Sequence, residues 1–598
     1  MKYASFDFES HGIEDRPKYP PAPVGIAIYI EGESPVYYAF GHPVQNNCTE
    51  AHAKRKLQEL FENPEYEFIA HNLPFDAAIA EEKWGLTVPW DRCHDTMVLA
   101  FLQDPFGELS LKPLAEKWLQ MPPEERDAVK DWLIKHGVCR DTKGWGAHIC
   151  MAPGELVGTY AIGDVVRTLD LFKLLHEYVV STGMEAAYRR EIQLMPHVLK
   201  MEKRGLNLDG EQLSKDVDYY FGQLDDLDQA ICDLLGTQVD IDSGAQLADA
   251  IEAAGMSKGF ATTPTGLRST AKESLIGAIN NPTLLGHLLV RGSVATCLRT
   301  FMTSWLTQYN EHGRLYVRWN LIRNYSDTGA RTGRISSSPN LQNIPVEWEG
   351  LRAQLKKIGY ELPFPLPQVR RYIIPDAGNM FLDRDYSAQE LRLLTHFAPG
   401  KLLEELQVDP VADIHQIAAK IAGITRKEAK TLAFAVLYGA GVGKIAESLH
   451  MTVAEATRVK EQYLKALPEI KELTKRVQDA GKNRSYITTL GGRQYYAQKP
   501  AVVKGMWKSF EYKLTNYLIQ GSAADMSKQA MLNYCKATQH GHLVLTVHDE
   551  LVVQVPVEHA EAEQAILAQA MNNSFQETLR FKVISTGSKG YNFAEASA

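Results

Sequence analysis

The sequence predicts a multidomain protein in which an α/β domain precedes a larger α+β region. The chain has 598 residues, whereas a single hydrophobic core rarely grows beyond about 250–300 residues. Strand-like and helical patterns alternate up to about residue 188, and strands and long helices are segregated beyond it. The composition, 45% hydrophobic and 23% charged, is that of an ordinary globular protein.

The first region, residues 1–188, is predicted to contain strands over residues 1–9 and 24–40, where apolar residues alternate with polar ones. Helical periodicity then follows near residues 50–62, 74–84 and 155–181.

The region after residue 188 begins with a predicted helix, Arg190–Gly205, which ends at its glycine. Two long helical patterns follow near residues 211–235 and 272–310, with an exposed, turn-rich tip at Thr262–Thr270 between them.

Strands are expected to return over residues 315–403, with a surface loop at Glu361–Pro367, and residues 404–535 are expected to be mostly helical. Two β-rich runs, Leu543–Val547 and Leu551–Val555, then flank His548-Asp549-Glu550 and predict a hairpin with acidic residues at its turn.

Charge and cysteine usage limit the classes of partner. The net charge is −9, but residues 1–188 hold 17 Lys and Arg against 29 Asp and Glu, and the remainder holds 47 against 44. This distribution permits a nucleic-acid partner without requiring one. The seven cysteines form no C-x-x-C pair, which favours a reducing compartment and argues against structural zinc. No apolar run approaches the roughly 20 residues of a membrane span, and no signal peptide is recognised, so we expect a cytoplasmic protein without membrane contact.

Two acidic residues in the second half each end a strand-like run. Asp385 begins Asp385-Tyr386-Ser387, with Glu390 close behind, and Asp549 lies in the hairpin turn. Each has an ordinary interpretation as a turn former, and Ser387 as the N-cap of a helix over Gln389–Phe397. As a pair, however, the two carboxylates could share metal ions.

A helix between them carries Arg426, Lys430, Phe434 and Tyr438 at four-residue spacing, which places all four on one slowly spiralling stripe. A solvated face would not align aromatic rings with cations, and a core face would not carry Arg and Lys. The stripe suits a triphosphate at one end and a stacked base or sugar at the other.

These segments resemble, in order and spacing, the polymerase motifs of the family A DNA polymerases. Asn516-x3-Gln520-Gly521 matches a further motif of that family, and Arg331–Ser337 with Pro339–Pro345 matches its primer-template segment. The resemblance covers nearly the whole chain. It implies a right-hand polymerase domain over residues 189–598, with a thumb at about 205–317, a palm at about 318–403 and 536–598, and fingers at about 404–535.

The resemblance implies a template-directed DNA polymerase that uses two metal ions, and it assigns the catalytic residues. Asp385 and Asp549 would hold two Mg²⁺ ions, for which Mn²⁺ can substitute. Arg426 and Lys430 would place positive charge at the triphosphate of the incoming deoxynucleotide, and Lys430 could protonate the leaving group.

The same resemblance assigns the nucleotide and DNA contacts. Phe434 would pack beneath the sugar, Tyr438 would flank the nascent pair, and Glu390 would block a ribose 2′-hydroxyl, which makes the product DNA. The residues that would contact primer or template are Arg334, Asn343, Asn516, Gln520 and His548, the last of them also beside the nucleotide.

A second acidic set lies near the N-terminus. In Phe6-Asp7-Phe8-Glu9 the acids share one strand face, Asp76 opens a predicted helix, and Tyr160 and Asp164 lie one helical turn apart. Together they resemble the three motifs of the DEDD 3′–5′ exonucleases in their tyrosine form, which have an RNase H-like fold. The resemblance implies an exonuclease domain over residues 1–188 in which Asp7, Glu9, Asp76 and Asp164 bind two metal ions and Tyr160 orients the attacking water. Because all four acids are present, we expect active proofreading.

The resemblance also predicts what is absent. No 5′-nuclease domain is expected, because the chain starts at the exonuclease. No thioredoxin-type processivity factor is expected either, because the thumb shows no long insertion. A monomer acting on primer-template DNA in replication, of a phage type, is our preferred interpretation.

Three features depart from the family pattern. Ala388-Gln389 stand where Gln-Ile is usual, and Tyr512 and Lys513 stand where relatives often carry an arginine. The stretch Val346–Gln368 is longer than the usual connection.

Four other functions remain open at this stage. They are a single-subunit RNA polymerase, a repair polymerase, a DNA-binding relative with inactive sites, and an exonuclease with a large accessory region. Glu390 and the exonuclease motifs argue against the first, the intact metal carboxylates against the third, and residues 315–598 against the fourth.

Overall fold

A computed structural model describes residues 2–597 except residues 123, 141–143, 264, 347, 450, 484 and 504, with only the backbone described at residues 124–126. Two of the stretches singled out above, Thr262–Thr270 and Val346–Gln368, each include one residue, 264 and 347, outside this set.

The first region contains a five-stranded mixed sheet with helices on both faces. The strand order is β3-β2-β1-β4-β5, with β1, β2 and β3 antiparallel and β1, β4 and β5 parallel. This confirms the predicted α/β region, except that residues 24–40 form two strands rather than one. The elements are β1 Lys2–Ser10, β2 Pro23–Ile30, β3 Val36–Ala39, α1 Glu50–Glu62, β4 Tyr66–Ala70, α2 Leu73–Ala78, β5 Cys93–Asp95, α3 Thr96–Gln103, α4 Leu111–Leu119, α5 Glu124–Lys135 and α6 Gly154–Ser181.

The central strand β1 has an apolar face and an acidic face, as the alternation of phenylalanine and acidic residues predicts. Phe6 and Phe8 are buried in the main apolar core, where Phe6 packs edge-on against Phe61 and Phe68. The other face of β1 carries Asp7 and Glu9 and lies beneath the long helix α6.

The next helix joins the two regions without a break. Helix α7 spans Glu185–Arg204 and ends at Gly205, whose φ of 63° is readily adopted by glycine. It begins before the predicted Arg190 and contains residue 188, so the expected domain boundary falls inside a continuous helix.

Helices dominate residues 205–317, as predicted, but the helical pattern expected over 272–310 is interrupted at residues 279–281. Asn281 caps a new helix by accepting a hydrogen bond from the Leu284 amide, and Pro282 occupies its first turn. The elements here are β6 Asn207–Leu208, α8 Gly210–Leu235, α9 Gly244–Ala253, α10 Lys272–Ala278, α11 Pro282–Cys297 and α12 Thr303–His312.

Residues 315–403 contain shorter strands and more helix than predicted. Among the described residues of this range the one long strand is β10. It is central to a four-stranded antiparallel sheet of order β15-β16-β10-β17, in which β15 is His542–Val547, β16 is Glu550–Pro556 and β17 is Ser585–Gly590. The predicted loop Glu361–Pro367 lacks regular structure, although Phe364 and Leu366 are buried. The elements are β7 Arg318–Asn320, β8 Ser336–Ser338, α13 Glu349–Lys357, β9 Ile373–Ile374, β10 Asn379–Tyr386 and α14 Gln389–Phe397.

The remaining chain is mostly helical up to the last strands, as predicted. The hairpin β15–β16 has His548 and Asp549 at its turn, and Glu550 is the first residue of β16. The elements are α15 Lys401–Val408, α16 Ile414–Ala422, α17 Arg426–Leu437, α18 Val442–Leu449, α19 Val453–Ala466, α20 Pro468–Lys482, β11 Tyr486–Thr488, β12 Gln494–Tyr496, β13 Ala501–Val503, β14 Met506–Lys508, α21 Leu514–Ala537, β15 His542–Val547, β16 Glu550–Pro556, α22 Ala560–Asn572, β17 Ser585–Gly590 and α23 Phe593–Ala596.

A buried charge network fastens α7 to the second region. Glu191 accepts hydrogen bonds from Arg493 (2.5 Å) and Lys528 (2.8 Å), and Arg493 also contacts Asp525 (Nε–Oδ1 3.1 Å). All four side chains are at most 1% exposed. The network links three elements that are distant in sequence, because Glu191 lies on α7, Arg493 in the β11–β12 connection and Lys528 on α21.

None of the described helices combines the length and apolar character needed to cross a bilayer.

Candidate active sites

Three carboxylates converge on the sheet of the first region. Ligand oxygens of Asp7, Glu9 and Asp164 all lie within 4.8 Å of one another. Strand β1 supplies the first two residues and helix α6 the third. The site opens into a cavity of about 430 Å³, which His71, Tyr160 and Lys112 also line.

The electrostatics of this cluster favour a bound cation. Burial and the neighbouring Asp164 carboxylate raise the pKa of Asp7 to about 7. Burial, Asp7 and Asp164 raise the pKa of Glu9 well above its ordinary value. Carboxylates crowded in this way repel one another, and a divalent cation relieves that repulsion. The donor set, oxygen only, suits Mg²⁺ or Mn²⁺.

Asp76, the fourth predicted ligand, is buried near the cluster, but its carboxylate oxygens do not lie within 4.8 Å of all three of the other ligand groups. Its Oδ1 accepts a hydrogen bond from the Phe8 amide (2.8 Å), which ties α2 to β1. The start of α2 is held in turn by Asp95, whose carboxylate accepts hydrogen bonds from the amides of Asn72 (3.1 Å) and Leu73 (2.9 Å). The sequence reasoning did not single out Asp95, although an aspartate just before a helix is a common capping signal.

A lysine that the sequence reasoning also missed completes this site. Lys112 Nζ donates a hydrogen bond to Asp164 Oδ2 (2.7 Å) and lies 3.9 Å from the centroid of the Tyr160 ring. Tyr160 and Asp164 are one turn apart on α6, as predicted. The spacing of Lys112, three residues before Ala115, places both residues on one side of helix α4. That side is buried, so the spacing was the signal for a buried lysine.

The second acidic site lies where β10 meets the β15–β16 hairpin. Asp385 pairs with Glu550 across the sheet, and the Tyr386 amide donates a hydrogen bond to the carbonyl oxygen of Asp549 (3.3 Å). Desolvation by the surrounding protein and the charge of Asp549 raise the pKa of Asp385 to about 8, and burial raises that of Asp549 to about 6. The two predicted carboxylates are therefore close enough for the charge of Asp549 to act on Asp385.

Two residues that sequence reasoning did not identify support this pair. Asp383 lies two residues before Asp385 on β10 and is buried, and burial with the charge of Glu550 raises its pKa to about 9. The raised pKa favours the protonated form of Asp383, which can donate a hydrogen bond to Glu550. The other side of Glu550 faces Arg370 (Nη1–Oε1 3.4 Å), which covers the Phe593 ring.

Glu390 lies at the centre of a polar cluster between the four-stranded sheet and α17. Its carboxylate contacts the Arg334 guanidinium and accepts a hydrogen bond from the Tyr438 hydroxyl (Oε2 2.9 Å). Burial and the Glu390 charge raise the pKa of Tyr438, whose hydroxyl also meets Gln520. Four predicted residues are thus brought together here.

The predicted stripe on α17 is confirmed in its geometry. The helix begins with a capping box between Thr425 and Glu428 and buries its alanine and leucine face. The rings of Phe434 and Tyr438 are stacked (5.9 Å, 8°), and Lys430 is exposed. Arg426 Nε donates a hydrogen bond to Asp413 (2.6 Å) at the N-terminus of α16.

The remaining predicted DNA contacts lie on the hairpin turn, on α21 and in the segment after β8. Asn343 and His548 are exposed, and His548 has a φ of 58° at the hairpin turn. Asn516 and Gln520 lie one turn apart on α21. Gln342, next to Asn343, donates hydrogen bonds to the carbonyl oxygens of Ile335 (2.9 Å) and Thr546 (3.3 Å), which fastens this segment to β15.

The residues that depart from the family pattern have defined positions. Ala388, and not Ser387, is the N-cap of α14 and adopts a left-handed conformation. Gln389 is buried and donates a hydrogen bond to the Ala523 carbonyl oxygen (3.3 Å). Tyr512 packs against Gly439, where an added Cβ would lie 2.8 Å from its ring.

A cavity of about 610 Å³ lies between the first region and residues 308–339 of the second. Its walls include Ile13 and Phe75 from the first region and Arg318, Asn324 and Tyr325 from the second.

Comparisons with known proteins agree with this division. The family model for DNA polymerase family A matches residues 211–595, and the model for the 3′–5′ exonuclease matches residues 1–179. DNA polymerase I of Chloroflexus aurantiacus is 27% identical over 93% of this chain and 57% of its own length. The thermostable DNA polymerase I of Thermus filiformis is 31% identical over 63% of this chain and 44% of its own.

A solved structure has the same fold. The POL domain of Pol1 from M. smegmatis, in complex with DNA primer-template and dNTP, matches with a TM-score of 0.79 at 21% identity, over 99% of this chain and 96% of that one. The chain spans about half the length of the curated relatives. The match of one family model to well over half of the residues shows that this chain is a member of DNA polymerase family A.

Proposed function

We propose that the protein is a template-directed DNA polymerase that also removes nucleotides from a 3′ end by 3′–5′ hydrolysis. The observation that carries the proposal is the presence of two separate carboxylate sites on one chain. One lies beside a helix with aligned cations and aromatic rings, and the other lies beside a tyrosine and a lysine. Either site alone would indicate only metal-assisted phosphoryl chemistry.

In the polymerase site, Asp385 and Asp549 would hold two Mg²⁺ ions, which supply the Lewis-acid charge that phosphoryl transfer requires. Lys430 is exposed on α17 and would contact the triphosphate and protonate the leaving pyrophosphate. Arg426 would exchange its present partner, Asp413, for a phosphate oxygen, since an exposed ion pair costs little to break.

The cluster around Glu390 supports selection of a deoxyribose. A carboxylate held by Arg334 and Tyr438 is fixed in position, so it can reject an additional 2′-hydroxyl by steric exclusion. Phe434 and Tyr438 would pack against the sugar and the nascent pair. Asn343, Asn516, Gln520 and His548 would contact primer or template.

In the exonuclease site, Asp7, Glu9 and Asp164 would hold two divalent ions, with Asp76 completing the set after a small shift. Tyr160 would orient the attacking water, because its hydroxyl group is within hydrogen-bonding reach of Asp164. The cavity between the two regions would be the path of a single strand, since its walls carry aromatic and basic groups beside several acidic ones.

For partners and location, we propose primer-template DNA and deoxynucleoside triphosphates as substrates, with a monomer acting in the cytoplasm. We propose no thioredoxin-type processivity factor.

The experiment that tests this function follows a labelled primer on its template, with and without deoxynucleotides. Asp549→Ala should reduce extension about a thousandfold, which corresponds to ~4 kcal/mol, and leave shortening of the primer intact. Asp7→Ala should abolish shortening and leave extension intact. Asp218→Ala, an exposed residue of α8, is the matched control and should change neither. Equal loss of both activities in either variant would contradict the assignment of two independent sites.

A further inference from the structure

Lys112 is an unusual neighbour for a metal site. It is buried on α4, and its ammonium group lies among the carboxylates that would bind divalent cations. Burying an ammonium group is costly unless it is paired, and a cation beside a cation site opposes the binding of the metal. A lysine in this position therefore requires an explanation beyond charge balance.

The contacts of Lys112 supply that explanation. Its Nζ contacts one oxygen of Asp164 at 2.7 Å, while Arg167 approaches the other oxygen at 3.6 Å. The same Nζ lies over the face of the Tyr160 ring at 3.9 Å, within the range of a cation–π interaction. Asp164 and Tyr160 are both on α6, whereas Lys112 is on α4. The lysine therefore holds two side chains of α6 from a separate helix.

We propose that Lys112 is a positioning residue of the exonuclease site, which fixes the orientation of the Asp164 carboxylate and the Tyr160 ring. The proposal rests on the proposed exonuclease function. Lys112 acts through these two groups: Asp164 as a metal ligand and Tyr160 as the group that orients the water. Its loss leaves both side chains with more rotational freedom, and a misplaced group of this kind slows the hydrolysis of the bound 3′ end.

This role has a signature that a purely structural lysine would not have. Removing the positive charge strengthens the attraction of the cluster for a divalent cation, whereas removing the fixed orientation slows turnover. Lys112→Met should therefore bind Mn²⁺ more tightly and hydrolyse DNA more slowly. Damage to the fold would weaken both properties together.

The test uses the full chain carrying Asp549→Ala, so that the polymerase site does not obscure the measurement. Mn²⁺ binding without DNA is measured by electron paramagnetic resonance, and kcat and KM are measured on a single-stranded oligonucleotide. We expect Lys112→Met to lower the dissociation constant for Mn²⁺ about fivefold. It should lower kcat at least about tenfold with little change in KM. Lys112→Arg should restore most of kcat.

The matched control is Lys117→Met, which removes the same charge from the exposed side of the same helix and should change neither quantity. A Lys112→Met kcat within twofold of the parent would overturn the proposal. So would a fall in kcat accompanied by weaker Mn²⁺ binding, or no recovery with arginine. If the parent itself fails to shorten DNA, the proposed exonuclease function is wrong instead.

Discussion

Replacing Glu191 by alanine is expected to destabilise the protein strongly, because this carboxylate neutralises two buried cations. Glu191 is fully buried and accepts hydrogen bonds from Arg493 (2.5 Å) and from Lys528 at both oxygens (2.8 Å each). Arg493 retains Asp525 after the substitution, whereas the hydrogen-bond partner that Lys528 retains among the described residues is the carbonyl oxygen of Leu321 (2.6 Å). Breaking a buried ion pair by removing one partner costs about 3–5 kcal/mol.

The pH dependence of this loss follows from Lys528. Burial lowers its pKa to about 8 in the folded protein, even with Glu191 present. A lysine whose folded pKa lies below its unfolded value binds fewer protons when folded, so folding becomes more stable as the pH rises between the two values. Without Glu191 the folded pKa falls further, and this gain begins at lower pH. The difference in stability between variant and parent should therefore shrink as the pH is raised from 6 to 8.

Urea unfolding followed by circular dichroism measures both effects. Glu185→Ala, at the exposed start of the same helix, is the matched control and should change the free energy of unfolding by less than about 0.5 kcal/mol. A loss below about 1 kcal/mol for Glu191→Ala, or a difference that grows with pH, would refute the reasoning.

Two further predictions concern the polymerase region. Gly333 has a φ of 76°, and a Cβ there would lie 1.4 Å from Arg493 Nη1, so Gly333→Ala must displace the buried guanidinium. We expect the free energy of unfolding, measured with urea, to fall by at least ~2 kcal/mol. Gly222→Ala on α8, where a Cβ meets no atom within 4 Å, is the control and should not destabilise the protein. Equal stability of both variants would be inconsistent with this packing. Glu390→Ala should raise the efficiency of UTP relative to dUTP by about tenfold or more, measured as the ratio of kcat/KM values, and an unchanged ratio would remove Glu390 from sugar selection.

The sequence predicted correctly those helices and strands whose periodicity and end signals all lie within the element's own residues. Helices α1, α6 and α8 and the β15–β16 hairpin lie within two residues of their expected bounds. The break in the helical pattern over 272–310 was missed because the apolar pattern continues across Asn281-Pro282, where capping and proline geometry start a new helix. Strand content over 315–403 was overestimated because short apolar runs there also suit coil and the helix α13.

The sequence predicted which residues make up each candidate site. It did not predict the contacts that hold those residues in place. Lys112 meets Asp164 across 52 residues, Arg370 meets Glu550 across 180, and Arg493 meets Glu191 across 302. Such pairings depend on how helices and sheets pack, and no local periodicity encodes them. The burial that raises the pKa of Asp383 is equally a property of the folded sheet.

A primer with a mispaired 3′ nucleotide tests most directly whether the two sites act on the same strand end. The protein should first remove the mispaired nucleotide and then extend, so that the sequenced product carries the correct base at that position. Asp7→Ala should stall or extend with the mismatch retained. Retention of the mismatch in most products of the unmodified protein would contradict the central claim that one chain both adds and removes the terminal nucleotide.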